Sequence, residues 1–340
     1  MASDSTFDRP EVGAPMRAWQ RLVLTNEFGL IILIAVFFTT FALFAEGFTS
    51  RFSLFALGRT MAIDILVGFA MMVVIVTGGL NLAVGAIAVC AVMFAGWLIQ
   101  GMGAPLPVAI AGALAMGAAL GWINGVTIVR SGIHSFIITL ATMSIFFGVM
   151  IFLTRAEAFR EIPAVVADFG KLKIAGYLSP LLIVAVLVGL ALIYLYRYTA
   201  LGRRMLAAGA SPAAAELSGI DVGRTIILCH VLSGVLATVA GLLLASRTGA
   251  AIPSMAGHLG RDWLLPAFLA PVLGGTLLAG GRVSVTGTFL GGALATMLAA
   301  GLLLMQVGEF WVQAVLGLLL LLAVLADKGR RVYLAKKKMA

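Results

Sequence analysis

Uncharged blocks of about 20 apolar residues recur along this chain and restrict its fold more than any other feature. Apolar residues make up 62% of the 340 positions and charged residues only 11%, whereas roughly a quarter of an average soluble domain is charged. A soluble core could not bury so much apolar surface, but a bilayer can. Because barrel strands would alternate polar and apolar residues, the solid blocks predict an all-α integral membrane protein.

Hydropathy divides the chain into three parts and predicts about ten transmembrane helices in the middle one. Residues 1–27 are expected to form a cytoplasmic N-terminal segment, 28–326 the transmembrane domain and 327–340 a basic cytoplasmic tail. One or two helices are expected to be broken, because the eighth block is short and contains two prolines. The predicted spans are residues 28–46, 61–77, 82–99, 105–128, 135–153, 179–196, 225–245, 263–275, 284–304 and 309–326.

The positive charges indicate how these helices cross the membrane. Lys and Arg are concentrated in the C-terminal tail and in the loop 197–224, and short positively charged flanks stay cytoplasmic. Counting back through ten spans places both termini in the cytoplasm and the loops 154–178 and 246–262 outside. This distribution indicates that the formal net charge of +9 reflects membrane topology rather than nucleic-acid binding.

An uncharged junction between the second and third predicted spans departs from a simple helical hairpin. Residues Thr77–Gly85 read T-G-G-L-N-L-A-V-G, and such irregular backbone is tolerated at membrane depth only where protein or a water-filled cavity surrounds it. The later half contains a comparable stretch, Leu273–Gly281, and paired glycine interruptions indicate a substrate pathway in transporters. Close helix packing by small residues is the alternative explanation for these glycines.

The predicted cytoplasmic loop 197–224 contains the signals of a short helix. Ser211 is a good N-cap, Pro212 suits the first helical position, and Gly219 is a suitable end. Such a helix would either receive a partner protein or be an ordinary solvated helix at the membrane surface. The residues alone leave both interpretations open.

Five stretches in order along the chain resemble the ribose-type permeases of bacterial ABC sugar importers. Thr77–Gly85 is similar to that family's T-G-G-I-D-L-S-V-G signature, with Asn81 and Ala83 in place of its acid and its serine. The other four are Ser135–Met143, which resembles F-I-x-T-L-x-x-M; Leu201–Ile220, which resembles L-G-R followed by A-A-x-L-S-G-I; Ser233–Gly241, which resembles S-G and A-G; and Leu273–Gly281, which resembles L-G-G-T-x-L-x-G-G.

The resemblance implies a division of labour among several subunits. Two permease subunits, identical or different, would form a pathway for a monosaccharide or related polyol through the bilayer of the bacterial inner membrane. A cytoplasmic ATP-binding subunit would dock on the loop 197–224, and a periplasmic binding protein would deliver the solute to the outer loops. The chain has no G-x-x-x-x-G-K-[ST] phosphate loop, so we expect a transport subunit without cofactor or metal, and not an enzyme.

The candidate residues fall into three groups. Asn81 offers an amide donor and acceptor to a polyol, and Asp64 is a carboxylate inside an apolar block, where charges are costly and usually functional. A hydrogen-bonded helix contact is the alternative for Asp64, and a solvated rim is the alternative for the docking group. The groups are, for the substrate pathway, Asp64, Gly78, Gly79, Asn81, Gly85, Gly274 and Gly275; for coupling to the ATPase, Arg203, Gly209, Ala214, Glu216, Ser218 and Gly219; and for docking of the binding protein, His258, Arg261, Asp262 and Trp263.

Two other functions compete with an ATP-coupled permease. An ion-coupled secondary carrier of a small polar solute needs several buried acidic or basic residues as a relay, and Asp64 alone is thin evidence for one. A membrane enzyme needs a cluster of catalytic groups, and no His, Asp or Glu residues have a suitable spacing. The charge-poor chain therefore favours a permease subunit that takes its energy from a partner.

Overall fold

The computed structural model describes the backbone of residues 26–339, and the side chains of this range except those of residues 26, 258, 259 and 326–339. The described part of the chain is mostly helical and contains no strand, which confirms the all-α class. Most of the predicted N-terminal segment 1–27 and the side chains of the predicted tail 327–340 lie outside the described residues.

Thirteen α-helices make up the described part of the fold. They are α1 (Asn26–Phe44), α2 (Arg51–Ile75), α3 (Val84–Gln100), α4 (Leu106–Ser131), α5 (Ser135–Thr154), α6 (Ala164–Lys171), α7 (Pro180–Tyr198), α8 (Ala200–Ala210), α9 (Pro212–Leu217), α10 (Val222–Thr248), α11 (Leu264–Leu273), α12 (Val285–Leu304) and α13 (Glu309–Met339). A short 3-10 helix, His258–Trp263, precedes α11.

Side-chain caps fix where several of these helices begin. Ser50, Thr199, Ser211, Asp221 and Ser284 each accept a hydrogen bond from a backbone N–H in the first turn of the helix that follows. These bonds satisfy donors that a helix leaves free at its N-terminus. The cap at Ser211 starts α9, which confirms the short helix predicted there, whereas the sequence did not predict α8 immediately before it.

Helix α2 is the centre of the fold. Every residue from Ile65 to Val76 is buried, and α2 packs against α7, α10, α11 and α12. This part of α2 is apolar on all sides, as expected for a helical segment that protein surrounds. The loop that follows α2 therefore starts inside the protein.

Helices α4 and α10 form the most extensive helix contact among the described residues. A Cβ atom at Gly117 of α4 would lie 2.7 Å from the Gly234 carbonyl oxygen of α10, and one at Gly125 would lie 2.7 Å from the Ile227 Cα. The two backbones touch where glycine removes the side chain. This is the close packing by which helices associate in lipid, where water provides no driving force.

Seven helices in the described range are long and apolar enough to cross a membrane: α1, α2, α4, α5, α7, α10 and α12. Helix α3 and the apolar part of α13, Glu309–Leu325, are shorter. The predicted span 263–275 contains only the ten-residue α11, with Pro271 inside it. The eighth predicted span is therefore a short helix that continues through Pro271, and the seven long helices are fewer than the ten predicted spans.

Candidate functional site

The predicted unwound junction between α2 and α3 is a loop, Thr77–Ala83, which we call the unwound loop. Gly78 has φ +78°, a left-handed conformation that favours glycine. Residues Thr77 to Leu80 are half-buried, whereas Asn81 to Gly85 are buried. The first half of the loop is therefore its more accessible part.

Two hydroxyl groups of α5 hold the backbone of the unwound loop. The Leu80 N–H donates to Ser135 Oγ at 2.8 Å, and the Leu82 N–H donates to Thr139 Oγ1 at 3.1 Å. Thr139 in turn donates to the Ser135 carbonyl at 2.7 Å. Non-helical backbone needs such partners inside a membrane protein. Sequence reasoning did not single out these two residues, although the i, i+4 spacing of hydroxyls in the Ser135–Met143 stretch was a usable signal.

Asn81 anchors the buried half of the unwound loop. Its Nδ2 donates to Ser233 Oγ of α10 at 2.9 Å, its Oδ1 accepts from the Ala83 N–H at 3.1 Å, and its side chain is fully buried. The sequence predicted an amide that faces a polyol. In this conformation the amide is instead turned inwards, because the loop backbone and α10 use its donor and its acceptor.

Gly85 lies where the first turn of α3 crosses the 3-10 helix. A Cβ atom at Gly85 would lie 2.7 Å from the Gly260 Cα, and one at Gly260 would lie 2.7 Å from the Gly85 Cα. The predicted pathway residue is therefore a close-packing residue, the alternative that the sequence left open. Gly79 is less crowded, since its Cβ would lie 3.1 Å from a Val74 methyl and 3.4 Å from Ser135 Oγ.

Asp64 is half-buried on α2 and accepts a hydrogen bond at 2.7 Å from Thr296 Oγ1 on α12. It precedes Thr77 by 13 positions along the chain, which corresponds to about 20 Å of helix. The structure therefore does not bring Asp64 to the unwound loop. Its observed contact is the hydrogen bond between helices that the sequence gave as the alternative to a pathway role.

Replacing Thr296 with valine is expected to lower the thermal unfolding midpoint of the detergent-solubilised protein. The substitution keeps the shape of the side chain but leaves the Asp64 carboxyl without its donor, at a cost of about 1–3 kcal/mol. The control is Thr39→Val on α1, because the exposed Thr39 hydroxyl bonds only the Ala35 carbonyl of its own helix. Equal midpoints for the two variants would show that the Asp64–Thr296 bond does not stabilise the fold.

Two glycines of the later stretch, Leu273–Gly281, have different roles: Gly274 permits close helix packing, and Gly275 permits a turn. A Cβ atom at Gly274 would lie 2.6 Å from the Gly287 carbonyl oxygen, so Gly274 lets the end of α11 touch the start of α12. Gly275, with φ +78°, turns the chain after α11. The Thr276 hydroxyl then accepts from the Ser284 N–H at 3.3 Å and lies 3.4 Å from Thr288 Oγ1. Gly274 is thus buried in a helix contact, and Gly275 starts the loop that leads to α12.

The four residues predicted to dock a binding protein do not form one exposed surface. Arg261 and Asp262 are exposed on the 3-10 helix, whereas Trp263 is buried in the main apolar core. The side chain of His258 lies outside the described residues. Trp263 is therefore a core residue and not a surface contact, because its large apolar ring is more stable away from water.

The predicted coupling residues lie on α8 and α9 and just after α9. Helix α9 is almost entirely exposed, and only Ala215 is buried, against α8. Leu217 is 92% exposed, and sequence reasoning did not single it out. A single exposed leucine is common on protein surfaces, so Leu217 marks the accessible face of α9 without identifying a partner. Residues Arg203, Ala214, Glu216, Ser218 and Gly219 are exposed, whereas Gly209 is half-buried.

Comparison with known proteins identifies the class of this chain. The family described as "Branched-chain amino acid transport system / permease component" matches residues 53–324. The chain is 33% identical to the ribose import permease protein RbsC of Escherichia coli (strain K12), over 89% of this chain and 92% of that protein. It is 35% identical to the ribose import permease protein RbsC of Bacillus subtilis (strain 168), over 89% and 91% of the two chains.

A third relative, the fructose import permease protein FrcC of Rhizobium meliloti, is 31% identical over 89% of this chain and 85% of its own. No solved structure matches the chain significantly. The family match covers most of the chain, and the relatives are covered over nearly their whole length. The chain therefore belongs to this family of permease components, and it is the membrane-spanning permease subunit of an ABC importer rather than an enzyme.

Proposed function

We propose that this permease moves a monosaccharide or a related polyol across the bacterial inner membrane, using ATP hydrolysed by a partner subunit. The observation that carries the proposal is the near full-length similarity to permeases named for ribose, fructose and D-allose. The family description names branched-chain amino acids instead. An amino acid carries two opposite charges, whereas the residues of the unwound loop are uncharged. This favours a polyol.

The topology we propose has ten membrane crossings and two cytoplasmic termini. The seven long helices would be joined by α3, by the 3-10 helix together with α11, and by the apolar part of α13. Support comes from the Lys and Arg residues of the loop 197–224 and of the tail 327–340, because short basic flanks stay inside. Residues 28–326 would then form the transmembrane domain.

We place the solute pathway along the accessible half of the unwound loop, Thr77–Leu80. These four residues are half-buried, and Asn81 and α5 hold the backbone behind them. The Thr77 hydroxyl donates its proton to the Val74 carbonyl at 3.0 Å and also bonds the buried Cys229 thiol, which leaves one lone pair for a solute hydroxyl. Gly78 and Gly79 would let the solute approach the backbone closely.

Permease components of ABC importers work with ATP-binding and substrate-binding partners. We propose that the ATP-binding subunit docks on the exposed surface of α9 from the cytoplasm. A periplasmic binding protein would dock on the opposite side, where Arg261 and Asp262 are exposed. A second permease subunit, identical or different, would complete the pathway.

The substrate is tested with the complex purified from its native membrane and reconstituted with its binding protein in liposomes. We expect ATP-dependent uptake of a labelled monosaccharide such as ribose, with competition by other monosaccharides and none by leucine. Competition by leucine alone would contradict the sugar assignment. Uptake driven by an ion gradient without ATP would instead support the secondary-carrier alternative.

Replacing Leu217 with aspartate is expected to release the ATP-binding subunit from the permease. A charge would replace an exposed apolar side chain on the proposed docking surface, and burying an unpaired charge in an interface is costly. The measurement is the amount of ATP-binding subunit that co-purifies with the permease. The matched control is Leu172→Asp, because Leu172 is also an exposed leucine, 54% accessible, but lies in the loop 154–178. Equal recovery with both variants would remove α9 from the interface.

A further inference from the structure

Three separate segments meet backbone to backbone at the C-terminal end of α2. The Gly281 N–H donates to the Val76 carbonyl at 2.8 Å, so the loop before α12 is bonded directly to the end of α2. Gly209, in α8, lies against the same two groups. We call this contact the glycine junction and define it by Val76, Gly78, Gly209, Gly280 and Gly281.

Side chains are excluded from the glycine junction. A Cβ atom at Gly209 would clash with the Val76 carbonyl and lie 2.6 Å from the Gly281 nitrogen. One at Gly280 would lie 2.8 Å from the Gly78 nitrogen and 3.1 Å from the Gly209 carbonyl oxygen. These separations are shorter than ordinary contacts, so any side chain here must move one of the three segments.

The glycine junction lies between the proposed docking surface on α9 and the unwound loop, and α8 links it to α9. The exposed α9 rests on α8, where Ala208 and Ala215 share a small apolar cluster. Helix α8 ends at Ala210, one residue after Gly209. Val76 is followed directly by Thr77, the first residue of the unwound loop. A shift of α8 towards Val76 therefore presses on the end of α2 without an intervening flexible side chain.

We infer that Gly209 is the positioning residue through which movement of α8 reaches the unwound loop and the Gly280–Gly281 turn together. The inference rests on the proposed docking of an ATPase on α9 and adds where the movement goes. The hydrogen bond between Gly281 and Val76 makes the two glycine-rich loops one unit, so both loops respond to the same displacement. Packed backbone of this kind transmits small shifts because it cannot deform continuously.

Gly209→Ala tests this inference cleanly because Gly209 lies in a helix and no left-handed φ is recorded for it. Alanine is the best helix former, so only the added Cβ atom matters. In the reconstituted complex we expect sugar uptake to fall about tenfold while ATP hydrolysis continues, a coupling loss of ordinary allosteric size. The number of ATP molecules hydrolysed per sugar imported would rise accordingly.

The matched control is Gly148→Ala in α5, where a Cβ atom would find nothing within 4 Å. This variant is expected to keep the wild-type ratio of ATP hydrolysed to sugar imported. If the wild-type complex couples normally, an unchanged ratio for Gly209→Ala would overturn the inference and leave the proposed function intact. Absence of ATP-dependent uptake in the wild-type complex would instead contradict the proposed function.

A second measurement decides the matter if Gly209→Ala does not fold. Amide hydrogen exchange of the wild-type complex is compared with and without a non-hydrolysable ATP analogue. We expect exchange to change together in the segments 72–80, 205–210 and 277–283, because they share the junction. A change confined to α8 and α9 would overturn the inference.

Discussion

Replacing Asn81 with leucine is expected to abolish uptake and to lower the stability of the permease. Leucine has the same branching as asparagine but is larger and has neither of its polar groups. The Ser233 hydroxyl and the Ala83 N–H would each lose a partner in a fully buried site, at about 1–3 kcal/mol apiece. The unwound loop would no longer keep its shape behind Thr77–Leu80. The measurements are ATP-dependent uptake and the thermal unfolding midpoint.

Asn81→Asp is the matched control for this prediction. A carboxylate keeps an acceptor for the Ala83 N–H, and its second oxygen can accept from the Ser233 hydroxyl. The resemblance to ribose-type permeases also places an acid at this position. We therefore expect Asn81→Asp to keep most of the uptake. Wild-type uptake by Asn81→Leu would contradict the anchoring role.

The second large effect is expected for Gly117→Leu, which should prevent stable folding. A Cβ atom at Gly117 would lie 2.7 Å from the Gly234 carbonyl oxygen and 3.1 Å from the Thr238 Cβ. A leucine would have to push α4 away from α10 along their whole contact, and overpacking costs about 1–3 kcal/mol or more. The measurement is the fraction of protein that elutes as a single species in size-exclusion chromatography after detergent extraction.

Gly148→Leu controls for the effect of a larger side chain on a membrane helix. Gly148 lies on α5 with open space around it, so leucine there is expected to leave the elution profile unchanged. A normal profile for Gly117→Leu would show that α4 and α10 separate easily. The close glycine packing would then not be what holds this part of the fold together.

The sequence predicted those features that depend on short stretches of chain. Solid apolar blocks predicted the helices, and the shortness of the eighth block agrees with the ten-residue α11. Most of the stretch Thr77–Gly85 is unwound as predicted, because glycine is unfavourable inside a helix, although Val84 and Gly85 already belong to α3. Ser211 and Pro212 located α9 for the same local reason.

The sequence could not predict contacts between residues that are distant along the chain. Asn81 was predicted to face a solute. Its hydrogen-bond partner Ser233 is 152 positions away, so the sequence could not show that the amide is already bonded. The Thr296 donor to Asp64 is 232 positions away, so a functional charge and a helix contact could not be told apart. Trp263 was predicted to be exposed, because its burial depends on how the 3-10 helix packs next to Gly85.

Gly209 shows the same limit within the coupling residues. Its position in a family motif suggested coupling, but the sequence could not show that it touches Val76 and Gly281. Conversely, Leu217 was overlooked because a leucine in an apolar chain is unremarkable until the structure exposes it. Local sequence therefore predicted the helices and loops, whereas the packing between them determined which side chains are buried, in contact or exposed.

This chain is a permease subunit, and we propose that its energy comes from a partner's ATP. The ATP dependence is tested most directly by sugar accumulation in liposomes that contain the permease with its ATP-binding subunit and binding protein. Ionophores collapse all ion gradients, and ATP is supplied on the side that bears α9. We predict accumulation that requires ATP and the ATP-binding subunit and is unaffected by ionophores. Accumulation by the permease alone, abolished by ionophores and independent of ATP, would show instead that the protein is an ion-coupled carrier.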